Sequence, residues 1–351
     1  MVPVPTTDPA GLAAGAASLP LVDASGDLET PLLAVDLRHG AVPEHVLGDA
    51  VERARDGDRL LVGVTGHDVE APATRALAEA LDLTLTEGDA HDDAPLVPVP
   101  DAEAALADVA AAVSAHPQAA LVLARLLRIT PALPVRAALD AESFAYSTLL
   151  GGAEFARWLG ARDPRPEAPP VPDPVLLDRD GDQLTVTLNL PGRRNALGRR
   201  LRAALIDALE LALLDDTVKR VVLEGAGPVF SSGGDLAEFG TAPDPSTAHL
   251  VRTSASPGLL VHRLGGRAEA RVQGACAGAG VEIPAFAATV RAAPGTTFRL
   301  PEIGMGLVPG AGGTVSIPRR IGRWRTLHLA LTGAPLDAPT ALAWGLVDAV
   351  A

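Results

Sequence analysis

Cysteine is almost absent from this 351-residue sequence, and Cys276 is its single example. One thiol excludes an intramolecular disulfide and favours a reducing compartment. Aromatic residues make up only 3% of the chain, so its core has to be built mainly from Leu, Val and Ala. Lys and Arg number 29 against 43 Asp and Glu, and the resulting net charge of −14 argues against binding to nucleic acid or to an anionic membrane.

Targeting and membrane signals are also missing. The first residues, MVPVPTTDPAGLAAGAASLP, have no basic segment of the kind that begins a signal peptide, and no apolar run reaches the length of a membrane span. We therefore expect a cytoplasmic protein. Its 48% content of hydrophobic residues is enough for a large buried core.

The motifs of several common site types are absent as well. The small-residue turn Ser231-Ser232-Gly233-Gly234 has neither the ending of a Walker loop nor the GxGxxG spacing, and its serines lack the GxSxG frame of a nucleophile elbow. The eight histidines are scattered, so no metal site is expected. The cluster His91-Asp92-Asp93, in an acidic loop over 87–94, could bind a metal but is more typical of a solvated turn. Cys276 has no base beside it and is interpreted as a packing residue.

The patterns that are present divide the chain into five parts. Pro- and Ala-rich residues at the start indicate a flexible leader. Alternating strand and helix patterns then predict a small α/β unit, which is followed by a purely helical segment whose first helix has Asp101 as its N-cap. A Pro-rich linker precedes a second α/β region. The predicted bounds are 1–30, 31–100, 101–162, 163–175 and 176–351.

The order of elements in 184–227 echoes that in 32–66, since both stretches run strand, turn, helix, strand, glycine. One interpretation is a faint internal repeat, in which the first copy is a degenerate half of the second region. Two ordinary βαβ units would give the same pattern.

The most informative stretch is Val272–Thr314. It begins with a run of small residues that allows close approach to the main chain and directs free N–H groups towards a ligand at the start of a helix. Glu282 follows just inside that helix, and Glu302 lies 20 positions later. Two carboxyl groups in apolar surroundings are typical of sites that transfer protons. The alternative is that Glu282 interacts with a helix dipole while Glu302 is an exposed loop charge.

Five motifs in order make residues 176–351 resemble the crotonase (enoyl-CoA hydratase/isomerase) superfamily: LNLPGRRNAL, FSSGGDLAEF, VQGACAGAGVEI, FRLPEIGMGLVPGAGGT and LTGAPLDAPTALAWGLVDAV. The resemblance implies an α/β fold with a spiral of ββα units that forms two nearly perpendicular sheets. It also implies an acyl-CoA thioester substrate whose enolate is held by two backbone N–H groups.

The resemblance implies specific roles at this site. The oxyanion donors would be the N–H groups of Gly234 and Ala279, Glu302 would serve the α-carbon of a 2-enoyl thioester, and Glu282 would serve the water. No tightly bound cofactor is implied, because coenzyme A arrives as part of the substrate. Its adenine and pantetheine would lie along two loops that contain Arg194, Ala196, Leu197, Ser232, Asp235 and Leu236. Arg193 or Arg194 could meet the phosphates, and the alternative is that both lie in a solvated turn.

Three features depart from the family pattern. Ala279 stands where glycine is usual and adds a methyl group beside the oxyanion hole. Ala288 replaces a common aspartate. Residues 123–166 resemble the helices that normally end a crotonase chain, cover the acyl pocket and build a trimer, yet here they precede the core. A circular permutation or a truncated tandem duplication would explain this order, and an unrelated helical bundle is the alternative. A homotrimer or a dimer of trimers is expected.

Three functions remain open from the sequence. The acid pair favours an enoyl-CoA hydratase. Another crotonase-type reaction is the second, whether double-bond isomerisation, thioester hydrolysis or oxygenation of an arylacetyl-CoA. The third is a non-catalytic subunit that binds acyl-CoA or scaffolds a partner enzyme.

Overall fold

The computed structural model describes residues 4–38, 42–66, 72–88, 95–163 and 171–351. The predicted His91-Asp92-Asp93 cluster and most of the predicted linker lie outside these residues.

The N-terminal unit is built on a parallel sheet whose strands follow one another in chain order. Its strands are β1 (Thr6–Thr7), β2 (Leu32–Asp36), β3 (Leu60–Thr65), β4 (Leu83–Thr86) and β5 (Leu96–Pro98). One face packs against three helices, α1 (Pro9–Ala13), α2 (Glu44–Asp56) and α3 (Pro72–Ala80). The other face carries Leu32, Val62 and Leu83 into the main core of the molecule. Burial on both faces explains why β2 and β3 are nearly continuous apolar runs.

The expectation of a flexible leader is wrong for residues 4–30. Thr6 and Thr7 pair with Ala34 and Val35 on the neighbouring strand. Asp8 caps α1 by accepting a hydrogen bond from the Gly11 N–H at 2.7 Å, and Leu12 is completely buried. Composition suggested mobility, but apolar contacts with the sheet and α2 order this segment.

The helical segment follows the prediction closely. It contains α4 (Ala102–Ala115), α5 (Pro117–Ile129), α6 (Val135–Leu150) and α7 (Ala153–Gly160). Asp101 caps α4 by accepting from the Ala104 N–H at 2.9 Å, as expected. Pro117 is the first residue of α5, and Pro134 directly precedes α6. No single helix in the described part of the chain is long and apolar enough to cross a membrane, although Ala102–Ala115 and Pro117–Ala132, bent by 111°, pass that test when counted together.

The second region begins with β6 (Val175–Asp180), β7 (Gln183–Leu188), α8 (Arg199–Leu214) and β8 (Arg220–Gly225). Two helices then lead to successive strands in different sheets: α9 (Pro245–Ser254), α10 (Pro257–Leu264), β9 (Ala268–Val272) and β10 (Ala275–Ala277). The remaining elements are α11 (Ala279–Glu282), β11 (Thr289–Ala292), β12 (Thr297–Arg299), α12 (Gly313–Ser316), α13 (Pro318–Thr332), β13 (Leu336–Asp337), α14 (Ala338–Trp344) and β14 (Ala349–Val350).

The strands of the second region form two sheets, in the orders β14-β11-β9-β8-β7-β6 and β10-β12-β13. Each of the pairs β9–β10 and β11–β12 sends its first strand to the larger sheet and its second to the smaller one. This alternation is the spiral of ββα units expected from the resemblance, and it confirms the α/β class.

The N-terminal unit docks on α5 and α13 around the buried carboxylate of Asp82. This carboxylate binds the Arg128 guanidinium through both oxygens, at 2.8 and 2.7 Å, and Arg323 of α13 lies 3.8 Å away. The Trp324 indole N–H donates to the Leu81 carbonyl at 3.1 Å. The polar contacts and the shared apolar cluster join the unit to the rest of the molecule.

Candidate active site

The small-residue turn between β10 and α11 lies against the loop that contains Ser231. Gly278 has φ 48° and ψ −122°, a left-handed conformation that side chains rarely adopt, and it turns the chain directly into α11. A Cβ atom at Gly280 would lie 2.2 Å from the Ser231 carbonyl oxygen. Glycine is therefore required for the loop that contains Ser231 to lie against the start of α11.

The two predicted oxyanion donors belong to these adjoining segments. The position of a Cβ on Gly233 would be 2.8 Å from the Ala277 carbonyl oxygen and 3.6 Å from the Ala279 nitrogen. The hydrogen bonds among the described residues use neither the Gly234 N–H nor the Ala279 N–H. Both donors remain free to bind an external acceptor, while Ala279 itself is buried.

Glu282 lies on α11 with 2% of its surface exposed. Its Oε2 atom accepts hydrogen bonds from the N–H groups of Ala311 and Gly313, at 2.7 and 2.8 Å. Burial raises the pKa of this carboxyl to about 7, against the opposing effect of the two N–H donors. The environment therefore places its ionisation close to neutral pH.

Glu302 is also buried, with 9% of its surface exposed, so the alternative of an exposed loop charge is wrong. Its Oε2 atom has no hydrogen-bond partner among the described residues. A Cβ at Gly278 would be 2.5 Å from Oε1 of Glu302 and 3.8 Å from Oε1 of Glu282, so both carboxyl groups face the same turn. Burial and the charge of Glu282 raise the pKa of Glu302 well above its usual value.

Glu142, on α6, was not found by sequence reasoning. It is 2% exposed and joins the same cluster of carboxyl groups, where burial and the charge of Glu282 raise its pKa to about 8. Tyr146, one turn further along α6, lies against Gly310, where a Cβ would be 2.4 Å from its ring. The only signal in the sequence was the resemblance of this helix to one that covers the acyl pocket.

The six predicted coenzyme A contacts lie on two loops that bind each other. The Ser232 N–H donates to the Arg194 carbonyl at 2.9 Å, and the Leu197 N–H donates to the Gly233 carbonyl at 2.7 Å. The Asp235 carboxylate forms an ion pair with the Arg193 guanidinium at 2.9 Å. The Ala196 N–H is bonded within its own turn, to Arg193, and the Leu236 carbonyl accepts from Arg162 at 3.1 Å. Because the Arg194 side chain is exposed, it is better placed than Arg193 to meet a phosphate.

Asn195 holds these loops in place and is completely buried. Its amide nitrogen donates to the carbonyls of Ala226, Val229 and Phe230, at 3.0, 2.9 and 2.9 Å, and its amide oxygen accepts from the Leu190 N–H at 2.8 Å. The side chain therefore links four main-chain groups, and the two hydrogens of its amide nitrogen are shared among three carbonyls.

Two other predicted features take no part in the carboxylate cluster. Ala288 is exposed directly before β11, so the side chain that replaces the family's aspartate lies at the surface. Cys276 is buried, which raises the pKa of its thiol to about 12 and agrees with a packing role. Within the described ranges, no group of three or more His, Cys, Asp or Glu side chains could hold a metal ion.

Comparisons with known proteins place this geometry in context. Residues 181–351 match the family model described as enoyl-CoA hydratase/isomerase. Two curated relatives from Escherichia coli (strain K12) are 1,2-epoxyphenylacetyl-CoA isomerase, 35% identical over 170 residues, and 2,3-dehydroadipyl-CoA hydratase, 33% identical over 176 residues. These alignments cover 47% and 50% of this chain, and 64% and 68% of the respective relatives.

A solved structure gives a similar match. The crystal structure of enoyl-CoA hydratase from Thermoplasma volcanium GSS1 is 31% identical, with a TM-score of 0.47, and the match covers 51% of this chain and 71% of the other.

Proposed function

This chain belongs to the enoyl-CoA hydratase/isomerase (crotonase) superfamily, and from that premise we propose that it adds water to a 2-enoyl-CoA thioester or removes water in the reverse direction. The observation that carries the proposal is the difference between two neighbouring carboxyl groups. Glu282 receives two backbone N–H groups, whereas one oxygen of Glu302 has no partner among the described residues.

The difference in hydrogen bonding indicates which of the two carboxyl groups is the base and which is the acid. Hydrogen bonds to a carboxylate favour its ionised form, so Glu282 is the member of the pair that loses its proton more readily. Burial and the charge of Glu282 raise the pKa of Glu302 well above its usual value, which favours its protonated form. Pairs of carboxyl groups whose surroundings separate their pKa values in this way divide into base and acid.

The proposed hydration step has the following bond changes and proton transfers. Glu282 takes a proton from water as the water oxygen bonds to the β-carbon. The electrons of the C=C bond move towards the thioester carbonyl, whose developing negative charge is stabilised by the N–H groups of Gly234 and Ala279; one such donor is typically worth about 10²–10³ in rate. Glu302 delivers its proton to the α-carbon. The proton on Glu282 afterwards returns to Glu302, directly or through solvent.

The proposal also covers the coenzyme A contacts, the cofactor, the location and the assembly of the protein. The substrate carries coenzyme A along the loops of Arg194, Ala196, Leu197, Ser232, Asp235 and Leu236, and no separate cofactor is needed. The exposed Arg194 guanidinium meets the phosphates. The protein acts in the cytoplasm as a trimer or a dimer of trimers, and α4–α7 take the place of the helices that end other crotonase chains.

A second candidate is double-bond isomerisation, favoured by the unpartnered oxygen of Glu302. A single carboxyl group beside the α-carbon can remove and return a proton without activating water. The E. coli relative named as an isomerase shows that this similarity extends to more than one reaction type.

Hydration of a short 2-enoyl-CoA, followed by loss of enoyl absorbance, tests the proposal. Glu282→Gln and Glu302→Gln should each lower kcat by about 10²-fold or more, because general acid and general base catalysis each contribute about 10²–10⁴. An isomerase would instead need Glu302 alone and would convert a 3-enoyl-CoA. Acyl-CoA binding without turnover of either substrate would point to the non-catalytic role.

A further inference from the structure

The loop 311–314, which includes the first two residues of α12, offers four successive N–H groups to two carboxylates in alternation. Ala311 and Gly313 donate to Glu282, as described above. Gly312 donates to Oε1 of Glu142 at 2.8 Å, and Thr314 donates to Oε2 of Glu142 at 2.9 Å. The Thr314 hydroxyl adds a third bond to Glu142, at 2.7 Å.

This alternation couples the two carboxylates mechanically. Gly312 has φ 105° and ψ 8°, and this left-handed turn leads directly into the helical residues of α12. Successive N–H groups in such a turn point in different directions, so the segment can bind two carboxylates. A shift of the loop that loosened the bonds to Glu142 would also move the donors that hold Glu282. Because Glu142 is fully buried, it has no water to replace those bonds.

The neighbourhood of Glu142 contains few compensating charges. Glu282 and Glu302 face it from the core, and Tyr146 lies on its own helix. Arg252, on α9, interacts electrostatically with it but is hydrogen-bonded to Ser143 and Ser147. Placing a third carboxyl group in a buried acidic cluster is costly, so its three hydrogen bonds have to be well formed.

We propose that Glu142 is a positioning residue that aims the Glu282 carboxylate by fixing the loop 311–314. Glu142 touches neither the substrate nor the reacting atoms. It belongs to α6, so the helical segment ahead of the core completes the active site rather than only covering it. The inference rests on the proposed function, because it assigns Glu142 to the group that activates water.

Kinetics of Glu142→Gln, alone and combined with Glu282→Gln, test this inference. The amide replaces one acceptor oxygen with a donor that faces the N–H groups of the loop. We expect kcat to fall by about 10- to 100-fold, in line with the cost of misplacing a catalytic group by about 1 Å, while KM changes less than threefold. In the Glu282→Gln background the same substitution should change kcat less than twofold, because Glu142 acts through Glu282.

Glu154→Gln is the matched control. Glu154 is also buried and accepts two backbone N–H groups, from Gln118 at 2.8 Å and Ala119 at 3.1 Å, but these begin α5 and lie outside the loop. This variant should lower the melting temperature and leave kcat within twofold of wild type.

If Glu142→Gln does not fold, Thr314→Val and Thr314→Ser replace it in the test. Valine removes the hydroxyl that binds Glu142, whereas serine keeps it, so only Thr314→Val should lower kcat. Equal losses from Glu142→Gln with and without Glu282 would overturn the inference, since they would indicate a general structural effect. Unchanged kcat in Glu142→Gln would do the same while leaving the hydratase assignment standing, and a wild type without turnover would overturn both proposals.

Discussion

Glu282 and Glu302 carry the same functional group in the same buried cluster, yet their surroundings differ at the level of single hydrogen bonds. The two N–H groups of the 311–314 loop oppose the effect of burial at Glu282. At Glu302 the charge of Glu282 adds to the effect of burial, and its own backbone N–H and Arg299 oppose it, so the pKa stays well above its usual value. The proposed assignment of a base and an acid therefore depends both on main-chain donors at Glu282 and on the charge of Glu282 beside Glu302.

The pH dependence of kcat/KM should be bell-shaped. Glu282 acts as a base only when ionised, so activity should rise through a pH of about 7, the pKa to which burial raises it. Glu302 acts as an acid only when protonated, so activity should fall again above its own raised pKa. The measurement is kcat/KM for enoyl-CoA hydration between pH 5 and about 9.5.

Cys276→Ala is the control for this profile. Burial raises the pKa of the Cys276 thiol to about 12, which lies outside the measured pH range. Removal of the thiol should therefore leave both the rise and the fall of kcat/KM with pH unchanged. A rate that does not change between pH 5 and about 8 would contradict the assignment of Glu282 as the base.

At the scale of elements, the loops before α8 and after β8 form one unit because Asn195 binds both. Gly234 and the six proposed coenzyme A contacts lie on these loops, so their geometry helps to decide where the thioester oxygen would meet its donors. The loop that contains Ser231 is fixed on its other side by close contact with Gly280.

Asn195→Ala should therefore weaken both folding and substrate binding. It leaves buried main-chain groups unpaired at about 1–3 kcal/mol each, so we expect a loss of at least about 3 kcal/mol in the free energy of unfolding. Displacement of the Ser232–Leu236 loop should also raise KM for the acyl-CoA. Chemical denaturation and steady-state kinetics measure the two effects.

Asn189→Ala provides the comparison, because its amide donates a single bond, to the Asp173 carbonyl at 2.9 Å, near the surface. We expect it to cost less than about 1 kcal/mol and to leave KM unchanged. Similar losses from the two alanine variants would show that Asn195 does not organise the loops.

At the scale of the whole molecule, the N-terminal sheet, the helical segment and the second region share a continuous apolar cluster. The contacts of Asp82 and Trp324 add polar interactions across the boundary between them. We expect the parts to unfold together, although the residues of the candidate active site lie in the second region and in α6.

Asp82→Asn tests this cooperativity. It removes the buried charge of Asp82 that pairs with the half-buried Arg128, and breaking a buried pair from one side costs about 3–5 kcal/mol. Calorimetry should show one unfolding transition, shifted to a lower temperature as a whole. Asp58→Asn, which affects an exposed pair with Arg125 at 2.9 Å, should shift it by no more than about 0.5 kcal/mol in stability. A separate early transition for the N-terminal unit would contradict shared unfolding.

Local chemistry made much of this protein predictable from its sequence. Asp101 and Pro117 mark helix starts because a cap and a fixed φ angle act within one turn of the chain. The small-residue turn at 274–280 and the order of five motifs pointed to the family because each requires particular residues at fixed spacing. The faint repeat between 32–66 and 184–227 stays a prediction, since both stretches form parallel βαβ units with or without a common origin.

Only the tertiary structure decided the features that depend on distant residues. Residues 4–30 look mobile by composition, yet the sheet and α2 bury Leu12. Glu302 is an ordinary loop residue by pattern, but the fold removes it from water and leaves an oxygen unpaired. Glu142 is separated from its partners at 312 and 314 by about half the chain, and no local rule links them. Sequence therefore determined which groups the chain carries, while folding determined which of them share a buried environment, because burial and hydrogen bonding set the properties of a carboxyl group.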